Sequence, residues 1–368
     1  MTESSRPRPR LLMVSARFPP FIGGIETHVR EVAPRLASLG LDVEVLTTDP
    51  TGELPRHELV DGVAVERIPA YPRERDYYFA PGILRHLRPG RYDLVHLQGY
   101  HTLVAPLTMY AAHRARTPYV VSFHSGGHSA LQRRMIRGVQ RLALRPGFVA
   151  AERLIAVSRF ELDLFRRSLR LATSRFALVP NGCRMPLPST APDPDLPLVL
   201  SVGRLERYKG HHRLVAAWPQ VLAARPGARL RILGVGPQEA ELRRQVEALG
   251  LNGHVEITSV PPGNPQAMSD ALGRANLVAL LSDYEAHPVA VMEALAVGRP
   301  VLVTETSGLT EIATAGHARG VPQAAGSDLI ARAILEQLHA PLEVDTAELP
   351  TWDQCAHQLY DLYASVLR

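Results

Sequence analysis

The stretch FALVPNGCRMPLPSTAPDPDLPLVLSVG, residues 176–203, decides how this chain is organised. FALVP at 176–180 and PLVLSVG at 197–203 are short apolar runs of the kind that form buried strands. Between them RMPLPSTAPDPDLP, residues 184–197, repeats proline, which denies helix and sheet interiors and favours an extended linker. The reading places one domain over residues 1–183 and a second over 184–351, with a further helix predicted at about 352–368.

On both sides of this linker strands alternate with helical periods, the pattern of parallel sheets covered by helices. Upstream, LLMVS, DVEVLTT, DLVHLQ, PYVVSFH, RLIAVS and FALVP are the predicted strands, with helices over Ile25 to Leu39, Thr102 to Ala115 and Arg159 to Leu169. Gly40 stands where a helix C-terminal glycine belongs. Downstream, PLVLSVG, RLRILG, HVEITS, LVALL and PVLVT are separated by helices near Arg213 to Ala224, Glu239 to Leu249 and Val289 to Val297. The fold class is α/β, with two doubly wound sheets. In the last segment Trp352, Leu359, Tyr360 or Tyr363, and Val366 share one helical face.

A chain of 368 residues exceeds the usual size of one core, so composition and pattern agree on two domains and a cleft. Hydrophobic residues at 46% and charged residues at 21% match a globular protein rather than a disordered one. No apolar run is long enough to cross a bilayer, and MTESSRPRPR lacks the apolar core of a secretory signal, so a cytoplasmic address is expected. Cys183 and Cys355 show no pairing or metal-ligand pattern. The net charge of +5 comes mainly from scattered arginines without interleaved aromatics, which ranks a phosphate-bearing small ligand above nucleic acid.

In open α/β sheets ligands sit beyond the carboxyl ends of strands, so the loops that follow strands carry the candidates. SARFPPFIGGIETH, residues 15–28, puts Gly23 and Gly24 before a helix, where backbone N–H groups can approach an anion. The pattern is neither a dinucleotide fingerprint nor a P-loop, and a plain strand-to-helix turn would also contain such glycines. FHSGGHS, residues 123–129, presents His124 at a strand end. Its partner His128 lies across two glycines with no third ligand adjacent, which favours a hydrogen-bonding His124 over a metal site. SVGRLERYKGHH, residues 201–212, brings Arg204 and Lys209 out of a strand end together, two cations suited to a diphosphate. SDYEAHPVAVMEALAVGRP, residues 282–300, places Glu285 before a helix and Glu293 on it, with Pro288 at its first turn. The N–H groups of Val289 and Ala290 then form an anion site, while the two carboxylates suit sugar and ribose hydroxyls. That division of labour fits a nucleotide sugar. A glycosidase would also use two carboxylates, but the adjacent cations argue against it. Asp193 and Asp195 lie in the proline-rich linker and are set aside as a metal clamp.

Taken together, FPPFIGGIETH, FHSGGH, LIAVSRFELDLF, VPNG, VGRLERYKG and the E-x7-E element from Glu285 to Glu293 resemble the family 4 retaining glycosyltransferases, in family order and over nearly the whole chain. The last two motifs are the specific ones. The resemblance implies the GT-B fold, with two Rossmann-like domains facing across a cleft and the C-terminal helix crossing back to the first. It places Gly23 and Gly24 beside the diphosphate and acceptor and His124 near the donor sugar. Arg204 and Lys209 become the diphosphate clamp, Glu285 a ligand of donor-sugar hydroxyls, and Glu293 a ligand of the ribose. The backbone from His287 through Pro288 and Val289 to Ala290 would hold sugar or phosphate. Ala286, His287 and Pro288 replace the Gly-Phe-Gly frequent in relatives, and Ser259 replaces a frequent glycine.

The implied chemistry is front-face substitution with retention; no metal or other cofactor is expected, and a uridine donor is expected ahead of a guanosine donor, a preference that no motif carries. The acceptor is a glycan, a lipid-linked sugar or a small molecule. In Leu131 to Arg145 the residues Arg134, Arg137, Arg141 and Arg145 share a face beside Leu131, Met135 and Leu142. Such a helix forms either a solvated face over a packed stripe or a peripheral contact with anionic lipid. The competing functions are another GT-B activity, such as nucleotide-sugar epimerisation or phosphorolysis, and non-catalytic sugar binding.

Overall fold

The computed structural model describes residues 8–21, 23–72, 79–125, 131–261 and 263–368, with the side chains of 131–137 outside the description. His128 lies outside the described residues, as do the side chains of Leu131, Arg134, Met135 and Arg137. Two compact units are present. One comprises the described residues of Met1–Ser125, Met135–Asn181 and Pro350–Arg368; the other comprises those of Gly126–Arg134 and Gly182–Leu349.

The first unit holds an eight-stranded sheet of β1 (Arg10–Ser15), β2 (Asp42–Asp49), β3 (His57–Val60), β4 (Val63–Pro69), β5 (Leu94–Gln98), β6 (Tyr119–Ser122), β7 (Arg153–Ala156) and β8 (Phe176–Leu178). Its order is β3-β4-β2-β1-β5-β6-β7-β8, parallel except at the β3–β4 hairpin. Helices α1 (Gly24–Ser38), α2 (Gly82–His86), α3 (Val104–Ala115), α4 (Leu131–Ala150) and α5 (Arg159–Leu169) connect the strands. The central strands are apolar on both faces because both are covered. Leu12, Val14, Val95, Leu97 and Val121 enter one core, and their neighbours Leu11, Met13, Leu94 and Val120 enter the other.

The second unit holds a six-stranded, wholly parallel sheet of β9 (Leu198–Val202), β10 (Arg229–Leu233), β11 (Val255–Thr258), β12 (Leu277–Leu280), β13 (Val301–Glu305) and β14 (Arg319–Pro322) in the order β11-β10-β9-β12-β13-β14. Its helices are α6 (His211–Ala224), α7 (Glu239–Ala248), α8 (Pro265–Gly273), α9 (Val289–Ala296), α10 (Ser307–Thr314) and α11 (Ser327–His339). Alternate residues again divide between two cores, Val199 and Ile232 on one side, Leu200 and Leu233 on the other.

The last helix, α12 (Trp352–Val366), belongs to the first unit. Thr351 and Gln354 close a capping box at its start, satisfying N–H groups that a helix end leaves open. Trp352, Leu359 and Tyr363 are buried in the core that α1 supplies with Val29, Val32 and Leu36, and Arg35 Nε donates to Asp353 Oδ1 at 2.7 Å. Tyr363 is the buried tyrosine; Tyr360 is only partly buried. Removing this helix would expose side chains whose burial is worth roughly 1.5–3 kcal/mol each.

Three strands are absent from the sequence reading. β3 and β4 form a hairpin about Asp61 and Gly62, both at positive φ, a D-G turn signal overlooked beside the charged face of HELVDGVAVERI. β14 is a short edge strand ending on proline. The packed stripe expected of α4 also needs correction. Phe148 is buried and Leu144 packs on the core, but Val139 and Leu142 are 70% and 71% exposed, and Arg145 is turned to the Leu169 carbonyl.

Candidate active site

In the second unit the chain winds from β9 outward through β10 and β11, then returns to lay β12 on the other side of β9. The loops leaving β9 and β12 therefore flank a topological switch point, where α/β sheets open to ligands. Those loops are 203–210 and 281–288, the two that carry the predicted cations and the first glutamate.

They are joined directly. Lys209 Nζ donates to Glu285 Oε1 at 2.6 Å, Ser282 Oγ donates to the same oxygen at 2.8 Å, and Asp283 N donates to the Tyr208 carbonyl at 2.7 Å. The Tyr208 and Tyr284 rings stack 4.6 Å apart at 11°, and the Lys209 ammonium stands 5.4 Å from the centre of the Tyr208 ring. Gly210 makes the approach possible: it sits at φ 76°, and a Cβ there would overlap the Leu281 carbonyl. Arg204 pairs with Glu206, two residues along its own loop. Each predicted cation thus has a carboxylate partner, and the two basic side chains are balanced by Glu206 and Glu285.

The junction of β13 with α10 holds the glutamate loop from behind. Ser307 Oγ accepts from Glu285 N at 2.7 Å, Gly308 N donates to the Glu285 carbonyl at 2.9 Å, and Thr306 Oγ1 donates to the Asp283 carbonyl at 3.0 Å. The glutamate loop itself, which follows β12, runs into α9 through His287 and Pro288. Burial lowers the His287 pKa to about 4, which keeps the ring uncharged at neutral pH. Pro288 supplies no side-chain cap to α9, so among the described residues the N–H groups of its first turn, at Val289 and Ala290, have no side-chain acceptor and lie at the positive end of the helix dipole. Glu293, half-buried one turn on, helps burial raise the Cys183 thiol pKa to about 11, burial being the larger cause.

The first unit has its own switch point between β1 and β5. Gly23, at φ 175°, precedes α1 and has no side chain with which to cap it. His28 Nδ1 meets Asn181 Oδ1 at 2.9 Å, so the FPPFIGGIETH and VPNG segments are in contact. His124 follows β6 at φ 53°; its Nε2 lies 2.7 Å from Gln98 Oε1, and its ring meets that of His28 edge-on at 4.7 Å. Burial, then the neighbouring His28, His96 and His101, push the His124 pKa well down. Glu161, fully buried, accepts from Ser125 N and from Val157 N at 2.8 Å, fastening the FHSGG loop to α5. Ser158 caps that helix through Glu161 N.

Gln98, Tyr208, Tyr284, Ser307 and Glu161 are absent from the sequence reading. For Gln98 a signal existed: His96 and Gln98 are the polar residues of an otherwise apolar strand, two apart and hence on one face. Asp193 caps its own turn, accepting from Asp195 N at 2.9 Å and Leu196 N at 3.3 Å. Among the described residues, the grouping with metal-ligand potential is Glu44, Glu66 and His86. There the two ring nitrogens each face a different carboxylate, at 3.0 and 3.2 Å, so the ring bridges the two acids.

Comparison with known proteins identifies the chemistry class. The sequence model of Glycosyltransferase Family 4 matches residues 22–184, and that of Glycosyl transferases group 1 matches residues 188–348. The chain is 28% identical over 346 residues to a glycogen synthase of Mycobacterium tuberculosis, covering 84% of this chain and 81% of that protein. It is 29% identical over 324 residues to the GDP-mannose:cellobiosyl-diphosphopolyprenol alpha-mannosyltransferase of Xanthomonas campestris, covering 83% and 81%. Its fold is that of the sucrose-phosphate synthase of Thermosynechococcus elongatus, with TM-score 0.80, 23% identity and coverage of 98% and 99%. Anabaena HepE in complex with UDP-glucose superposes with TM-score 0.78, at 18% identity over 97% and 99% of the two chains. Two parallel-sheet units, motifs in one order and two adjoining matches together make this chain a glycosyltransferase of family 4, with the GT-B fold.

Proposed function

We propose that the protein transfers a sugar from a nucleoside diphosphate sugar to an acceptor hydroxyl with retention at the anomeric carbon. The observation that carries this reading is the joined pair of loops at the β9–β12 switch point, where Lys209, Glu285 and the uncapped start of α9 belong to one hydrogen-bonded assembly. The diphosphate takes Lys209, Arg204 and the N–H groups of Val289 and Ala290, exchanging the carboxylate partners the cations hold here. Glu285 and Glu293 accept from sugar and ribose hydroxyls. A donor with uridine is preferred to one with guanosine.

In the reaction the bond from the anomeric carbon to the diphosphate oxygen breaks as the acceptor oxygen approaches on the same face. That departing oxygen takes the acceptor proton, while the cations and helix end stabilise its growing charge. Binding substrate equally well before and during the reaction would not accelerate it; stabilising the leaving charge does. These groups need no metal, so transfer persists in excess chelator.

The test is incubation with uridine and guanosine diphosphate sugars and a panel of glycan, lipid-linked and small acceptors, with and without chelator. Release of nucleoside diphosphate with an α-linked product from an α-linked donor, by proton coupling, supports the reading. An inverted product, turnover only with added metal, or rearranged donor without transfer overturns it.

A membrane-adjacent acceptor is favoured by one feature, the exposed Val139 and Leu142 beside Arg141 on α4. Apolar side chains flanked by cations suit the surface of anionic lipid. Co-sedimentation with phosphatidylglycerol vesicles, lost in Leu142→Asp, is the expected result; equal recovery with neutral vesicles contradicts it. Among the described residues no helix is long and apolar enough to cross a membrane.

A further inference from the structure

In the first unit a buried chain of polar side chains leads from His124 to the last helix. Gln98 Oε1 lies 2.7 Å from His124 Nε2, and Gln98 Nε2 lies 3.0 Å from His96 Nδ1. His96 Nδ1 is 2.6 Å from the Tyr363 hydroxyl, and His96 Nε2 is 2.8 Å from Ser122 Oγ. His96, Gln98, Ser122 and Tyr363 are at most 3% exposed, so water does not stand in for a missing partner.

Gln98 Nε2 also lies 3.2 Å from His96 Nε2, so its amide group faces both ring nitrogens. Burial raises the Tyr363 pKa well above its ordinary range, so its hydroxyl keeps its proton and serves His96 Nδ1 as donor or acceptor. Burial lowers the His96 pKa, so that ring holds one proton and keeps one ring nitrogen as an acceptor. In either tautomer of His96 the Gln98 amide N–H has a ring nitrogen to donate to, and the amide of Gln98 keeps one orientation. Its carbonyl is left facing His124 and accepts from Nε2–H. A neutral imidazole with its proton on Nε2 carries its lone pair on Nδ1.

We propose that Gln98, His96 and Tyr363 are positioning residues that hold His124 in its Nε2–H tautomer, so that His124 Nδ1 accepts a hydrogen bond from a hydroxyl of the sugar substrate. This rests on the transferase reading above and adds a task for α12: Tyr363 orients a strand-end histidine through two intermediates. The left-handed backbone at His124, a conformation rare outside glycine, and the His28 ring beside it restrict the ring further. A flipped tautomer would aim a proton, not a lone pair, at the same hydroxyl.

The test combines nitrogen NMR of protein labelled in its histidine rings with kinetics of Gln98→Leu, Gln98→Glu and Tyr363→Phe. Wild type is expected to show His124 protonated on Nε2. Gln98→Leu should mix the tautomers and lower kcat by ~10–100-fold, the usual cost of losing a group that orients a functional histidine. Gln98→Glu keeps an acceptor but favours a charged ring, so the acid limb of its pH–rate profile should move to higher pH while turnover above that limb is retained. A merely structural role would leave that limb in place. Tyr363→Phe, which removes one hydroxyl, should shift the tautomer balance in the same direction as Gln98→Leu and serves if that variant fails to fold. A wild-type proton on Nδ1, or an unmoved limb with unchanged kcat in both Gln98 variants, overturns the proposal. If wild type transfers no sugar, the transferase reading fails, and the tautomer in wild type and Tyr363→Phe still decides whether this chain holds His124.

Discussion

Lys209 and Glu285 are 76 residues apart in sequence and 2.6 Å apart in the fold, with side chains only 16% and 12% exposed. A charge pair so enclosed is costly to break from one side, because the remaining charge loses its compensation. Lys209→Ala should lower kcat by ~10²–10³-fold, since it removes a stabiliser of the leaving diphosphate. It should also lower the melting temperature more than the double variant Lys209→Ala/Glu285→Gln does, because the pair is coupled. Near-native kcat in a folded Lys209→Ala protein would refute the clamp.

Arg204 and Glu293 should divide differently between the kinetic constants. Arg204→Ala is expected to act mainly on kcat, as the charge it meets grows in the transition state. Glu293→Ala should raise the donor KM more than it lowers kcat, since a ribose contact is made nearly equally before and during reaction. Steady-state kinetics with the preferred donor decides the matter; a reversed pattern means the two roles are misassigned.

Gly308 backs the glutamate loop so closely that a Cβ there would overlap the Ala286 carbonyl, a backbone group with no rotamer to yield. Gly308→Ala should therefore cost at least ~1–3 kcal/mol and displace Glu285, whose backbone it holds. The expected signature is a lowered melting temperature together with weakened protection by uridine diphosphate. Unchanged stability and donor binding would show that the loop has room to move.

Acid should weaken the fold through buried histidines. His28 and His211 are each 1% exposed, and burial, the largest cause in both, lowers their pKa from 6.5 to about 4. Above pH 6.5 both rings are neutral whether the chain is folded or not, and the stability is fully present. As pH falls from 6.5 to about 4 the unfolded chain binds protons that the folded one refuses, at a cost on the order of 3 kcal/mol for each ring. Melting temperatures measured from pH 7 down to pH 4.5 should fall steadily, and His28→Asn should flatten part of that slope. A flat wild-type profile across this window would contradict the assignment.

Much of this protein was determined by local pattern. The proline run at 184–197 could not enter a sheet, apolar strands alternating with helical periods could only be buried on both faces, and VGRLERYKG and E-x7-E were short enough to be recognised as units. Tertiary structure alone decided which residues meet. That Lys209 rests on Glu285 follows from β12 returning beside β9, a non-local choice no window of sequence contains. The same holds for Tyr363, whose helical spacing left it level with Tyr360 until packing against α1 put one ring in the core, and for Ser307 and Glu161, whose value lies in the backbone groups they hold. Periodicity reports which face of an element is apolar; it carries no record of what that face is pressed against, and a hydrogen-bonded site is made from such meetings.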